Sequence, residues 1–144
     1  MPPPRRVFVG RLNELSELEA GLDDARAGRG GLFLLTGEAG IGKTRLADEL
    51  ARRAAAAGFG VRWGRCWEVG GAPAYWPWIQ ILRGLLRGAG RVALEPSTRD
   101  ELARLLPELG EAPASGSPGD ASQERFQLFD AMATILREAS ETNP

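Results

Sequence analysis

Lys43 is the only lysine in the chain, and it lies in the run Gly37-Glu38-Ala39-Gly40-Ile41-Gly42-Lys43-Thr44. The spacing is G-x-x-x-x-G-K-[ST], the Walker A phosphate-binding loop, with no mismatch. All other basic side chains are arginines, so this position asks for something arginine does not supply. An ammonium is a compact point charge that reaches between two phosphate groups, whereas a guanidinium is a broad planar fork. The glycines let backbone N–H groups turn inward around phosphate oxygens, and Thr44 offers a hydroxyl to Mg²⁺. The implied chemistry is the binding of a nucleoside triphosphate.

Such a loop needs a strand before it and a helix after it. Leu32-Phe33-Leu34-Leu35-Thr36 reads as a buried strand, and Lys43 to Ala57 as a helix burying Leu46, Leu50 and Ala54. Upstream, Asn13 is placed to cap a helix running to about Ala27, with Leu15, Leu18, Leu22 and Ala25 along one face. Gly60 to Cys66 reads as a second, weaker strand with Cys66 a small buried hydrophobe at its end. Trp78 to Leu86 and a short stretch from Thr98 read as helices. Asp120-Ala121-Ser122-Gln123 resembles a capping box opening a helix to Ser140, with Phe126, Phe129, Met132, Ala133 and Leu136 at helical spacing. Residues 1–6 read as a disordered tail, and the Pro/Gly/Ser-rich stretch 112–119 as a flexible linker. The aromatic group Trp63, Trp67, Tyr75, Trp76 and Trp78 lacks a basic stripe and reads as core and loop packing rather than a base-stacking surface.

Composition narrows the chemistry. At 144 residues there is room for one modest domain, and a net charge of −1 gives no electrostatic case for direct nucleic-acid binding. One cysteine rules out an internal disulfide. With no histidine, the usual zinc sites, Ser-His-Asp or Cys-His pairs and histidine phosphorelay are excluded. The basic start Met1 to Arg6 is not followed by an apolar stretch of signal-peptide length. No apolar run is long enough to span a membrane, so the expected compartment is the cytoplasm.

Phe8-Val9-Gly10-Arg11 followed by Glu14-Leu15 and Leu18, then the Walker A loop, Gly64-Arg65-Cys66-Trp67 and Tyr75-Trp76-Pro77-Trp78 together resemble an AAA/STAND-type ATPase domain. The pattern is similar to the ATPase modules of large LuxR-type bacterial transcription regulators. The resemblance implies an α/β P-loop NTPase fold, a parallel sheet flanked by helices. Only its first two core strands would be present, followed by a helix-rich C-terminal half, with residues 1–144 the N-terminal portion of one domain. It further implies that Val9, Gly10 and Arg11 lie by the adenine and ribose. The expected cofactor-binding set is therefore Gly37, Glu38, Ala39, Gly40, Ile41, Gly42, Lys43, Thr44 and Arg45 with Val9, Gly10 and Arg11. ATP and Mg²⁺ are the expected cofactors, Thr44 the metal-binding residue, and ATP plus the rest of a larger regulator or another protein the partners.

Hydrolysis needs a further acidic site, an apolar strand ending in Asp-Asp or Asp-Glu. None follows Thr44: Leu128-Phe129-Asp130 sits in a helical pattern, and Leu22-Asp23-Asp24 precedes the loop. In the family the acidic strand follows the helix that here spans residues 120–140. The expectation is thus ATP binding with doubtful turnover, by a fragment whose central strand lacks its neighbours. No catalytic residue is assigned. Two other readings stand beside it: a small P-loop kinase, and a helical protein-interaction module carrying a relic loop. A G-protein reading fails, because its Asn/Thr-Lys-x-Asp element needs a lysine and Lys43 is already taken.

Overall fold

The computed structural model describes residues 10–66, 71–88, 94–114 and 121–142. Among these residues the helices in order are α1 (Leu12–Arg26), α2 (Lys43–Ala56), α3 (Trp76–Arg87), α4 (Pro96–Ala103) and α5 (Ala121–Thr142), with a 3₁₀ turn at Pro107–Leu109 between the last two. The chain divides into two compact units, Met1–Val61 and Arg62–Asn143. Each is built around its own apolar cluster.

In the first unit, leucines recurring at helical spacing make α1 and α2 amphipathic. Leu15 and Leu18 of α1 meet Leu46 of α2 in a buried cluster, with Leu35 and Leu50 packed against it. Arg53 braces the pair, donating to Glu19 of α1 at 2.8 Å and to Glu49 of its own helix at 2.9 Å. α2 ends where Gly58 turns left-handed, at φ +90°. The Phe59 N–H then reaches back to the Ala54 carbonyl, a glycine-terminated helix end. Beyond that turn Arg26 of α1 donates to the Ala57 carbonyl at 2.9 Å and lies over the Phe59 ring, 5.0 Å from its centroid.

Among its described residues the second unit's regular elements are all helical, joined by irregular chain. Ile79 and Leu82 of α3, Leu102 of α4, Leu106, and Leu128, Ala131, Met132 and Ile135 of α5 form one buried cluster. Tyr75 and Trp76 pack against its edge. Pro77 and Pro96 fall in the first turns of α3 and α4, where a missing N–H costs nothing. Arg83 of α3 clasps Glu108 of the 3₁₀ turn at 2.6 Å.

The expected parallel sheet is not there. Among the described residues there is no strand, so the α/β class gives way to helices and irregular chain. Leu32–Thr36, expected as a buried central strand, is irregular. Leu32 is 96% exposed and Leu34 84%, and only Leu35 of the run joins the core. A short apolar run becomes a strand only when another segment offers a ladder. The second candidate, Gly60–Cys66, is also irregular and straddles the division between the two units. Cys66, expected to be buried, is exposed.

Helix starts differ as well. α1 begins one residue before Asn13, with Arg11 at its cap position, and α3 begins at Trp76 rather than Trp78. On α5 the core takes Leu128, Ala131, Met132 and Ile135, whereas Phe126, Phe129 and Ala133 from the expected face are exposed. Of the aromatic group, Trp63 and Trp78 are exposed and Trp67 lies outside the described residues. The expected tail at 1–6 and most of the linker at 112–119 also lie outside them.

Candidate functional site

The Walker A run forms the turn that opens α2. Gly37, Gly40 and Gly42 have φ of +144°, +79° and +98°, so all three occupy backbone space that L side chains rarely enter. A Cβ added at Gly40 or Gly42 would meet no atom within 4 Å, so glycine is required there by backbone conformation rather than by crowding. At Gly37 the reason is double, since a Cβ would also press on Ile41 Cγ2 at 3.2 Å.

Gly42 caps α2 without any side-chain cap, and the first backbone bond of the helix runs from the Leu46 N–H to the Gly42 carbonyl at 3.0 Å. The N–H groups of Lys43 and Thr44, at the first two helical positions, therefore have no intrahelical acceptor. They lie at the positive end of the helix dipole. Lys43 folds back over the turn, its Nζ donating to the Gly37 carbonyl at 2.8 Å and the Glu38 carbonyl at 2.9 Å. Thr44 and Arg45 are exposed at the same helix end. The arrangement fits a triphosphate: left-handed glycines, helix N–H groups and one ammonium converge on a single turn, and the hydroxyl beside them is open to solvent.

A family model described as an AAA ATPase domain matches residues 7–144. The chain belongs to the AAA ATPase family. Membership carries nucleotide use with it, ATP typically with Mg²⁺. No curated protein and no solved structure matches the chain.

Of the AAA residues expected near the base, Val9 lies outside the described residues. Gly10 and Arg11 form the entrance to α1, with φ of +81° and +55°. The Arg11 carbonyl accepts the first bond of α1, from the Leu15 N–H at 3.0 Å. α1 and α2 pack through Leu15, Leu18 and Leu46, so both entrances belong to one unit. Glu14, in the first turn of α1, is exposed.

Two features escaped the sequence. Arg11 and Tyr75 are the non-glycine residues with positive φ among those described, at +55° and +60°, and each caps a helix. A conformation that rare in a non-glycine residue leaves no compositional signal. The second feature is a groove of about 340 Å³ in the second unit, lined by Tyr75, Trp78, Phe129, Met132, Ala133 and Leu136. Among the described residues no group of three or more acidic, cysteine or histidine side chains is placed to hold a metal ion. No helix among them is long and apolar enough to cross a membrane.

Proposed function

We propose that this AAA ATPase chain binds MgATP through Gly37, Glu38, Ala39, Gly40, Ile41, Gly42, Lys43, Thr44 and Arg45. The observation that carries the reading is the convergence of three left-handed glycines, the α2 N-terminus and Lys43 Nζ on one turn. In the bound state Lys43 exchanges the Gly37 and Glu38 carbonyls for phosphate oxygens, a stronger, charge-assisted bond. Backbone N–H groups of the loop take further phosphate oxygens, and the Thr44 hydroxyl is the side-chain ligand offered to Mg²⁺. Val9, Gly10 and Arg11 are assigned to the adenine and ribose on the family resemblance, supported by the left-handed backbone at Gly10 and Arg11.

The role proposed is that of the nucleotide-binding front of a signalling ATPase in the cytoplasm, of the kind found in large LuxR-type regulators. Residues 1–144 form the N-terminal portion of its ATPase domain, and the remainder of the regulator is the natural partner. Binding rather than turnover is proposed for these residues. The test is displacement of a fluorescent ATP analogue by ATP and by GTP, with and without Mg²⁺. ATP should displace it better than GTP, and Thr44→Ala should remove most of the Mg²⁺ dependence. Equal displacement by GTP would overturn the base assignment, and an unchanged Mg²⁺ dependence would overturn the role of Thr44.

A further inference from the structure

α5 carries two apolar stripes, and the unit covers one. Leu128, Ala131, Met132 and Ile135 are buried against α3 and α4, whereas Phe129, Ala133 and Leu136 border the open groove beside Tyr75 and Trp78. Phe129 is 46% exposed, Trp78 42% and Phe126, one turn earlier, 67%. Tyr75 holds the groove's shape: its ring meets Phe129 edge-on, 5.8 Å between centroids, from a left-handed backbone position.

The charges beside this stripe indicate what covers it. Asp130 and Arg137 are exposed and seven residues apart, so they lie on the same side of α5 and flank the groove-facing residues. Neither side chain has an ion-pair partner among the described residues. Ala133, small enough to let a second helix approach closely, stands near the midpoint between them. An acid and a base placed symmetrically about a small residue make a surface complementary to itself under a two-fold rotation.

We propose that the α5 groove face binds a second copy of this chain, with the two α5 helices antiparallel and crossing near Ala133. Asp130 of each copy then meets Arg137 of the partner subunit, and Phe126, Phe129 and Leu136 fill the apolar groove of the other copy. The two α3 helices flank the pair, giving a four-helix contact. This pairing is independent of the nucleotide loop.

Sedimentation velocity over a concentration series tests it on the full chain, with Leu34→Lys introduced throughout so that the exposed Leu32–Leu34 segment does not drive association. The parent should show a concentration-dependent monomer–dimer equilibrium. Asp130→Arg or Arg137→Asp alone turns two attractive contacts into two repulsive ones and should raise the dissociation constant at least about tenfold. The double exchange Asp130→Arg/Arg137→Asp should restore the parent value, which a merely structural effect of either change would not do. Ala133→Glu, at an exposed position, should abolish dimer without loss of helical circular dichroism. A parent that stays monomeric, or single exchanges that dimerise as well as the parent, would overturn the proposal. A monomer whose groove takes up an apolar dye in an Ala133-dependent way would assign the face to a small apolar ligand instead and overturn it equally.

Discussion

The Phe33 ring occupies the space that a Cβ at Gly21 would take. Phe33 thereby lies against the face of α1 at the one helix position with no side chain, and with Leu35 in the core it ties the segment before the phosphate loop to the first helix. Glycine inside a helix costs about 0.5–1 kcal/mol relative to alanine. Here that cost buys a seat for an aromatic ring.

Gly21→Ala should therefore show coupling to Phe33. In a Phe33→Ala background the substitution is expected to stabilise by about 0.5–1 kcal/mol, the ordinary helix-propensity gain. In the parent background the ring must be displaced, and the gain should be reduced or reversed. A double-mutant cycle by urea denaturation measures the difference. Equal stabilisation in both backgrounds would mean that the ring does not pack on α1.

Leu34 and Leu82 separate the observed fold from a sheet. Leu82 is fully buried at the centre of the second unit, so Leu82→Ala should cost about 2–5 kcal/mol. Leu34 is largely exposed, so Leu34→Ala should stay within about 0.5 kcal/mol of the parent. Thermal denaturation of the two variants checks both. A Leu34 effect as large as that of Leu82 would put Leu34 in a buried strand.

How far the fold could be read beforehand depends on whether a residue's requirement is local. The glycines at 37, 40 and 42 are needed by the backbone of one turn, and that need is written in the residues themselves. Leu15, Leu18 and Leu46 follow the helical period and are buried as expected. Leu32–Thr36 has no such internal criterion, since a short apolar run is a strand only if something pairs with it. The buried face of α5 is ambiguous in sequence because both of its stripes are apolar. Phe126 and Phe129 make one stripe the bulkier, yet α3 and α4 cover the neighbouring one. Arg11 and Tyr75 look ordinary in sequence, and nothing in their residue types calls for the positive φ that each adopts.

Acid should loosen the first unit through Glu49. Its carboxyl is hydrogen-bonded by Arg52 at 2.6 Å and Arg53 at 2.9 Å, which lowers its pKa from 4.5 to about 2. A folded-state pKa below the unfolded value contributes stability that is complete above about pH 4.5 and lost as pH falls through about 2. Glu49→Gln should flatten the pH dependence of the melting temperature across that window, and added salt should reduce the effect because Arg52 is largely exposed. Identical pH profiles for the two proteins would contradict this assignment.

Phosphate release from ATP by residues 1–144 should be no faster than that of the Lys43→Ala protein. Transfer of the γ-phosphoryl group requires a positioned water and charge neutralisation on several sides. Loss of one such preorganised contact commonly costs about 10²–10³ in rate. Within these residues Thr44 is the one side chain assigned to the metal. Lys43-dependent release from a monodisperse sample would contradict this expectation.

The central claim, that the turn at the start of α2 is a working ATP site, is tested most directly by calorimetric titration of MgATP into the parent and Lys43→Ala proteins. Charge-assisted hydrogen bonds are worth about 1.5–3 kcal/mol each, so removing the ammonium should weaken binding at least about tenfold. Far-UV circular dichroism should not change, because the bonds that Lys43 Nζ makes among the described residues are to two carbonyls of its own exposed loop. Equal affinity of the two proteins for MgATP would contradict the account.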